Sequence, residues 1–174
     1  DRQIHFVLFD TANGTYIEPQ VGLFGAPVTT PANPTRVGYT FNGWDKPVPA
    51  TIASTDITVT AKWTPQTVGY TIVVWRENAN NTNYSYATTI TGQTALAGST
   101  VSAFNTALVT DTEAQYFTFA NAESVTIAGD GSTIQNVYFS RNTYTANFLL
   151  TTSASGNYLT ANGGTYYHTG SDTH

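Results

Sequence analysis

Residues 31–63 read PANPTRVGYTFNGWDKPVPATIASTDITVTAKW, and this stretch decides the fold. Its last third alternates. Ile57, Val59, Ala61 and Trp63 fall on one side, Thr58, Thr60 and Lys62 on the other, the two-residue period of a half-buried strand. Ahead of it, residues 39–44 read as a second strand interrupted at Asn42-Gly43. Gly38 and Gly43 read as turn positions where a Cβ would be strained. Tyr39, Phe41, Trp44 and Trp63 read as core beneath the sheet, with Pro34 opening the motif. No residue in the stretch is placed as a nucleophile, acid or base. The pattern is packing and turn chemistry.

Working toward the N-terminus, residues 4–9 (IHFVLF) suit a buried strand. Asn13-Gly14 marks a turn, since both residues tolerate positive φ, and residues 15–21 read as a second strand. Residues 22–36 hold Pro27, Pro31 and Pro34, which exclude a long helix but allow one short turn. Toward the C-terminus, residues 64–67 (TPQT) read as a linker. Strands are expected at residues 70–75 and 84–90, with a polar loop at 78–83. Residues 98–109 carry a helical pattern, capped by Ser99 or Thr100, with Val101, Phe104, Ala107 and Leu108 on one face. Residues 116–119 and 124–127 read as extended and Asp130-Gly131 as a turn. Residues 133–139 read as a closing strand. Its inward face stays open, because Ile134 and Tyr138 oppose Val137 and Phe139.

The same plan is used twice. Each half has two strands, a Gly-led stretch (Gly25-Ala26-Pro27-Val28; Gly98-Ser99-Thr100-Val101), an aromatic pair (Tyr39-Thr40-Phe41; Phe117-Thr118-Phe119) and a closing strand. We therefore expect a mostly β chain (α+β, β-grasp-like) of two small tandem modules, each a mixed sheet with a short helix or irregular crossover. The expected divisions are 1–66, 67–142, and 143–174, the last a truncated third module or a completion of the second.

Composition narrows the function classes. Charged residues are 10% of the 174, against about 25% in average domains. Polarity comes from Thr, Asn, Ser and Gln, and Thr suits pleated, half-buried surfaces. Net charge is −5, with 6 unclustered Lys and Arg. Phosphate-backbone binding needs cationic neutralisation, so nucleic acid is not an expected partner, nor is an anionic membrane surface. With Cys 0 there is no disulfide, thiolate metal site or Cys nucleophile. No apolar run reaches 18 residues, so no membrane insertion is expected. With Met also 0, the chain reads as a piece of a longer protein.

Residues 4–64 resemble the internalin-type B repeat, or Listeria–Bacteroides repeat, family. The carrying residues are Gly22, Pro34-Thr35-Arg36, Gly38-Tyr39-Thr40-Phe41, Gly43-Trp44, Asp56, Ile57, Thr58, Ala61 and Trp63. Residues 69–148 resemble, more loosely, companion modules of large bacterial surface proteins, through Tyr70, Glu77-Asn78, Tyr84, Gly98, Asp130-Gly131-Ser132-Thr133, Asn136-Val137-Tyr138 and Arg141-Asn142. The resemblance implies a β-grasp-like fold, a place in an extended multi-module surface protein outside the cell, and no enzymatic activity. The chain departs from the pattern after Trp44, where it is short and Pro-rich, and in the three-proline crossover.

No catalytic residues, metal ligands or cofactor site can be nominated. His5, His168 and His174 are scattered, without an H-E-x-x-H, and no nucleophile signature occurs. Asp111 and Glu113 read as facing water. Trp75 is out of phase with Ile72 and Val74, which suggests exposure or a module junction. Tyr84, Tyr86, Tyr166 and Tyr167 sit among Asn, Ser, Thr and Gly, a mix that recurs on adaptable binding surfaces; the competing reading is edge-strand decoration. Three functions compete. The first is a non-catalytic spacer in an elongated, monomeric multi-module surface chain. The second is a module binding a glycan or a host or partner-cell surface protein through Trp75 and the four tyrosines. The third is an accessory domain of a secreted hydrolase.

Overall fold

Two four-stranded mixed sheets carry one strand plan. The first contains β1 (Ile4–Asp10), β2 (Gln20–Leu23), β3 (Tyr39–Trp44) and β4 (Ile57–Pro65), in the order β2-β1-β4-β3. The second is built from β5 (Thr67–Glu77) and β6 (Tyr84–Leu96), then, after the two-residue β7 (Thr100–Val101), from β8 (Phe117–Ala122) and, after β9 (Val125–Thr126), from β10 (Ile134–Arg141). Its order is β6-β5-β10-β8. In each sheet the first strand pairs antiparallel with the second and parallel with the last, and the third pairs antiparallel with the last. The repeated plan is thus a repeated topology. A computed structural model describes residues 3–80, 83–144, 158–162 and 165–169. Residues 1–142 form one compact unit and residues 143–174 another, in which β11 (Tyr158–Asn162) pairs antiparallel with β12 (Thr165–Thr169).

The correspondence extends to single hydrogen bonds. Gly25 N–H donates to Ile52 O (2.9 Å) where Gly98 N–H donates to Ile127 O (2.8 Å). Ile52 N–H returns to Ala26 O (2.8 Å) where Ile127 N–H returns to Ser99 O (2.9 Å). Ala26 and Ser99 each donate backward, to Leu23 O and Leu96 O, at 3.0 Å.

Alternation places the cores. Val7, Phe9, Ile52 and Val59 are buried in the first half, flanked by Ile17, Val28 and Trp44. Ile72, Val74, Val137 and Phe139 are buried in the second, flanked by Phe104, Leu108 and Phe117. Each fully buried side chain of this size stabilises the fold by about 1.5–3 kcal/mol. The inward face of β10, open in sequence, is Gln135, Val137 and Phe139, with Ile134, Asn136 and Tyr138 outward. Gln135 is fully buried at the register position Ile57 holds in the first sheet.

Several expectations need correction. Residues 98–109 do not form the expected helix. The β-branched Thr100 and Val101 pair with β9, and Ser99 Oγ donates to Leu96 O (2.6 Å) instead of capping. Only a three-residue 3₁₀ turn, Thr106–Leu108, follows, with Asn105 accepting from Ala107 N–H. Phe104 and Leu108 still reach the core, while Ala107 is exposed. Both parallel crossovers are therefore irregular, and the other helical element among the described residues is the 3₁₀ turn Ala114–Tyr116. The second strand is Gln20–Leu23, not residues 15–21. In the first turn, Ala12 (φ 46°) and Asn13 (φ 68°) take the left-handed conformations. Gly14 serves space: a Cβ there would lie 2.5 Å from the Trp63 ring.

Residues 64–67 do not form a free linker. Gln66 alone separates β4 from β5, and its backbone is used on both sides. Gln66 N–H donates to Gly38 O (2.8 Å), and Ala97 N–H donates to Gln66 O (2.9 Å). Gln66 Nε2 donates to Thr40 Oγ1 (2.9 Å). Tyr39 is half-buried at this joint, not core: Arg36 stacks on its ring at 3.8 Å, and its hydroxyl lies where a Cβ on Gly98 would fall. Gly38 (φ +79°) meets Gly129 backbone to backbone. Arg36 Nη1 also donates to Ala12 O (3.1 Å), Trp63 Nε1 to Thr11 O (2.9 Å), and Phe6 N–H to the Asp56 carboxylate (2.9 Å). The Pro-Thr-Arg-x-Gly-Tyr run therefore ties the first turn to the joint. Pro34 is buried.

Phe41, Trp44 and Trp63 are half-buried and form a chain of tilted and edge ring contacts with Phe9. Phe9–Trp44, Phe41–Trp44 and Phe41–Trp63 centroids lie 5.5, 5.3 and 5.6 Å apart. Gly43 (φ +80°) lies within the β3 irregularity that lets Phe41 and Trp44 face the same strand.

Candidate functional site

The outer face of the second sheet gathers aromatic side chains around polar ones. Odd positions of β5 point away from the core, which puts Trp75 on this face. β6 pairs Tyr86 with Trp75 and Tyr84 with Glu77. A register shift beside Trp75 lets Tyr84 and Tyr86 point outward while Thr88 and Ile90 lie opposite the buried Val74 and Ile72. β10 adds Tyr138 and Asn136. Trp75 and Tyr86 meet edge to face at 6.4 Å, and Tyr84 and Tyr138 at 5.1 Å. Such pairs add about 0.5–1.5 kcal/mol beyond area burial.

The polar groups on this face bind one another. Trp75 Nε1 donates to Asn136 Oδ1 (2.8 Å), Asn136 Nδ2 to Glu123 Oε2 (2.8 Å), and Tyr138 OH to Glu123 Oε1 (3.0 Å). Burial, and then the Glu123 carboxylate, push the Tyr138 hydroxyl above its ordinary value. Tyr84, Trp75 and Tyr138 are half-buried, whereas Tyr86 is 60% exposed. The structure thus brings Trp75, Tyr84 and Tyr86 together, with β6 at the sheet edge. It adds Tyr138, Asn136 and Glu123, which sequence reasoning missed. Resolving the phase of β10 from Val137 and Phe139 would have put Tyr138 on this face. Tyr166 and Tyr167 lie on β12, opposite Ala161 and Thr160; their side chains lie outside the described residues, as does His174.

At the end of β5, on the core side of the sheet, Arg76 organises a second cluster. Asp111 and Glu113 are exposed, as expected, and both also bind Arg76. Arg76 Nη2 binds both Asp111 oxygens at 2.6 Å, and Nη1 lies 3.3 Å from Glu113. Its side chain is only 12% exposed and packs over the Phe117 ring, with Arg141 also 4.9 Å from that centroid. The Arg76 hydrogen bond holds Asp111 below the usual carboxylate range. A shallow cavity of about 280 Å³ lies here, lined by Arg76, Glu77, Tyr86, Glu113, Phe117 and Arg141. Each acid is engaged with an arginine or a backbone amide, so the cluster is built as packing rather than as an acid–base pair.

Asp130 closes its predicted turn by accepting from Ser132 N–H (3.0 Å) and Oγ (2.7 Å), which lowers its carboxyl. Among the described residues, no three His, Cys, Asp or Glu are grouped to hold a metal ion, and no helix is long and apolar enough to cross a membrane.

No family model and no curated protein matches the chain, so membership of the internalin-type B repeat family is not shown. Among solved structures, the chain is similar to Streptococcal High Identity Repeats in Tandem (SHIRT) domains 3-4 from a cell surface protein. The identity is 16%, the match covers 80% of this chain and 98% of that one, and the TM-score is 0.24.

Proposed function

We propose that this chain is a non-catalytic repeat region of a bacterial cell-surface protein, a stiff spacer that holds a binding domain away from the cell. The observation that carries this reading is the joint between the sheets. Two sheets of identical strand order are separated by one residue, whose N–H and side chain are hydrogen-bonded to the first half and whose C=O is hydrogen-bonded to the second. A spacer keeps its reach only if its units cannot fold back on each other, and a one-residue connection fixed on both sides supplies that restraint. The resemblance of residues 4–64 to a surface-protein repeat, and the commitment of the motif aromatics to turns and packing, support the reading.

Small-angle scattering of the whole chain, with and without four glycines inserted after Gln66, tests it. The reading expects one fixed arrangement of the two sheets to reproduce the unaltered curve, and the insertion to change that curve. Indistinguishable curves mean that the joint was already loose.

A second reading has its own observation. Trp75, Tyr84, Tyr86 and Tyr138 share one sheet face beside amide and carboxylate groups, the combination that stacks on and hydrogen-bonds to sugars. A glycan array comparing the chain with Tyr86→Ala tests it. Binding lost in the variant supports the face as a glycan site; silence of both removes it.

A further inference from the structure

We infer that Ala97, Gly98 and Gly129 form a socket for one kind of partner, a repeat presenting an Arg-x-Gly-Tyr loop like residues 36–39, and that they set the order in which repeats can stand. The inference rests on the spacer reading above. In the second half the socket is filled. Ala97 is 2% exposed, Gly98 accommodates the Tyr39 hydroxyl, and Gly129 meets Val37 and Gly38 backbone to backbone. Gly129 has no room for a methyl group: a Cβ there would overlap Val37 O and lie 3.1 Å from Gly38 Cα.

The first half repeats the backbone frame but not the socket. Counting from the equivalent bonds of Gly25/Gly98 and Ile52/Ile127, Phe24 stands where Ala97 does, and Ser54 where Gly129 does. Gly25 keeps its positive φ (+85°), with no described residue within 4 Å of an added Cβ, and Phe24 is 61% exposed. An incoming Gly38-type backbone would meet the Phe24 ring and the Ser54 side chain. The second half in turn lacks the loop, since residues Ala114–Tyr116 before β8 form a 3₁₀ turn. Among the described residues, loop and socket therefore occur once each, on opposite halves. The joint is directional: a first-type repeat stands before a second-type repeat and does not seat on another first-type repeat.

The absence of cysteine makes spin-label distance measurements clean. Labels at Lys62→Cys and Thr91→Cys, both exposed, span the native joint. In the whole chain the inference expects a narrow distance distribution, and loss of that narrowness in Ala97→Phe/Gly129→Ser with amide spectra still dispersed. To guard against a misfolded variant, residues 1–65 are also fused ahead of the whole chain, so that Asp1 takes the place of Gln66. A label pair across this new joint, at Lys62 of the added copy and Thr58 of the original, should give a broad distribution that narrows with Phe24→Ala/Ser54→Gly in the original. A new joint as narrow as the native one without those changes, or still broad with them, overturns the inference and leaves the spacer reading standing. A broad native joint in the unaltered chain overturns both.

Discussion

Gly38→Ala, set against Gly43→Ala, isolates the energy of the joint. The two glycines share a conformation, φ +79° and φ +80°, so an alanine at either carries the same left-handed penalty of about 1–2 kcal/mol. Their surroundings differ. A Cβ on Gly43 meets no described residue within 4 Å. One on Gly38 overlaps Gly129 Cα and lies 2.8 Å from Gly129 O and 3.0 Å from Ala97 Cβ. Two of those three atoms are backbone, so the sheets must separate rather than a side chain rotate. Overpacking of this kind costs about 1–3 kcal/mol. The expected totals are roughly 1–2 kcal/mol for Gly43→Ala and roughly 2–5 kcal/mol for Gly38→Ala. With a urea slope of about 2 kcal/mol/M, the variants' midpoints differ by about 0.5–1.5 M. Tryptophan fluorescence reads the transition, through Trp44 and Trp63 in the first sheet and Trp75 in the second. Midpoints agreeing to within about 0.25 M, equivalent to the roughly 0.5 kcal/mol scatter of inert surface changes, would refute the claim that the glycines are in tight backbone contact.

Three further outcomes are expected. Gln135→Leu should raise stability by roughly 1 kcal/mol in chemical denaturation, because the buried Gln135 Oε1 has no hydrogen-bond partner among the described residues and an unmet buried acceptor costs about 1–3 kcal/mol; a loss of similar size would show that its Nε2 bond to Glu123 O (3.0 Å) matters more. Asp111 is held below the usual 3.8 by Arg76, so its stabilisation is complete above that value and is lost as pH falls through the lower folded-state value. Asp111→Asn should therefore flatten the acid limb of a Tm–pH profile, with a cost near neutral pH of about 1 kcal/mol or less for this part-exposed pair; an unchanged acid limb would contradict the assignment. Trp75→Phe should cost about 1 kcal/mol by depriving Asn136 Oδ1 of its indole donor, with amide shifts confined to the outer face of the second sheet; shifts spreading into the core around Val74 and Val137 would contradict that placement.

What the sequence disclosed follows from how local each signal is. The run from Ile57 to Trp63 alternates with chemically distinct faces, so its phase and its inward set were readable directly. The repeat was readable because Gly25 and Gly98 begin equivalent stretches. The 98–109 segment failed because a helical spacing of apolar residues competes with β-branched Thr100 and Val101, which found a partner in residues 125–126. Partner strands are not visible to a periodicity argument. The phase of β10 failed because Gln135, polar yet buried, broke the inward pattern. Of the outer-face residues, Trp75, Tyr84 and Tyr86 were legible from phase and neighbours. Glu123, and the Arg76–Asp111 pair on the other side of the sheet, were not, since contacts spanning 13 to 35 residues leave no spacing to read. The joint was hidden for the same reason, because TPQT has a linker's composition and its contacts come from Gly38, Ala97 and Gly129.

Residual dipolar couplings of backbone amides test the central claim most directly. If the hydrogen-bonded Gln66 joint holds the sheets as one body, couplings from β1–β4 and from β5, β6, β8 and β10 fit a single alignment tensor of one magnitude. Two tensors of different magnitude, one per sheet, would contradict the account.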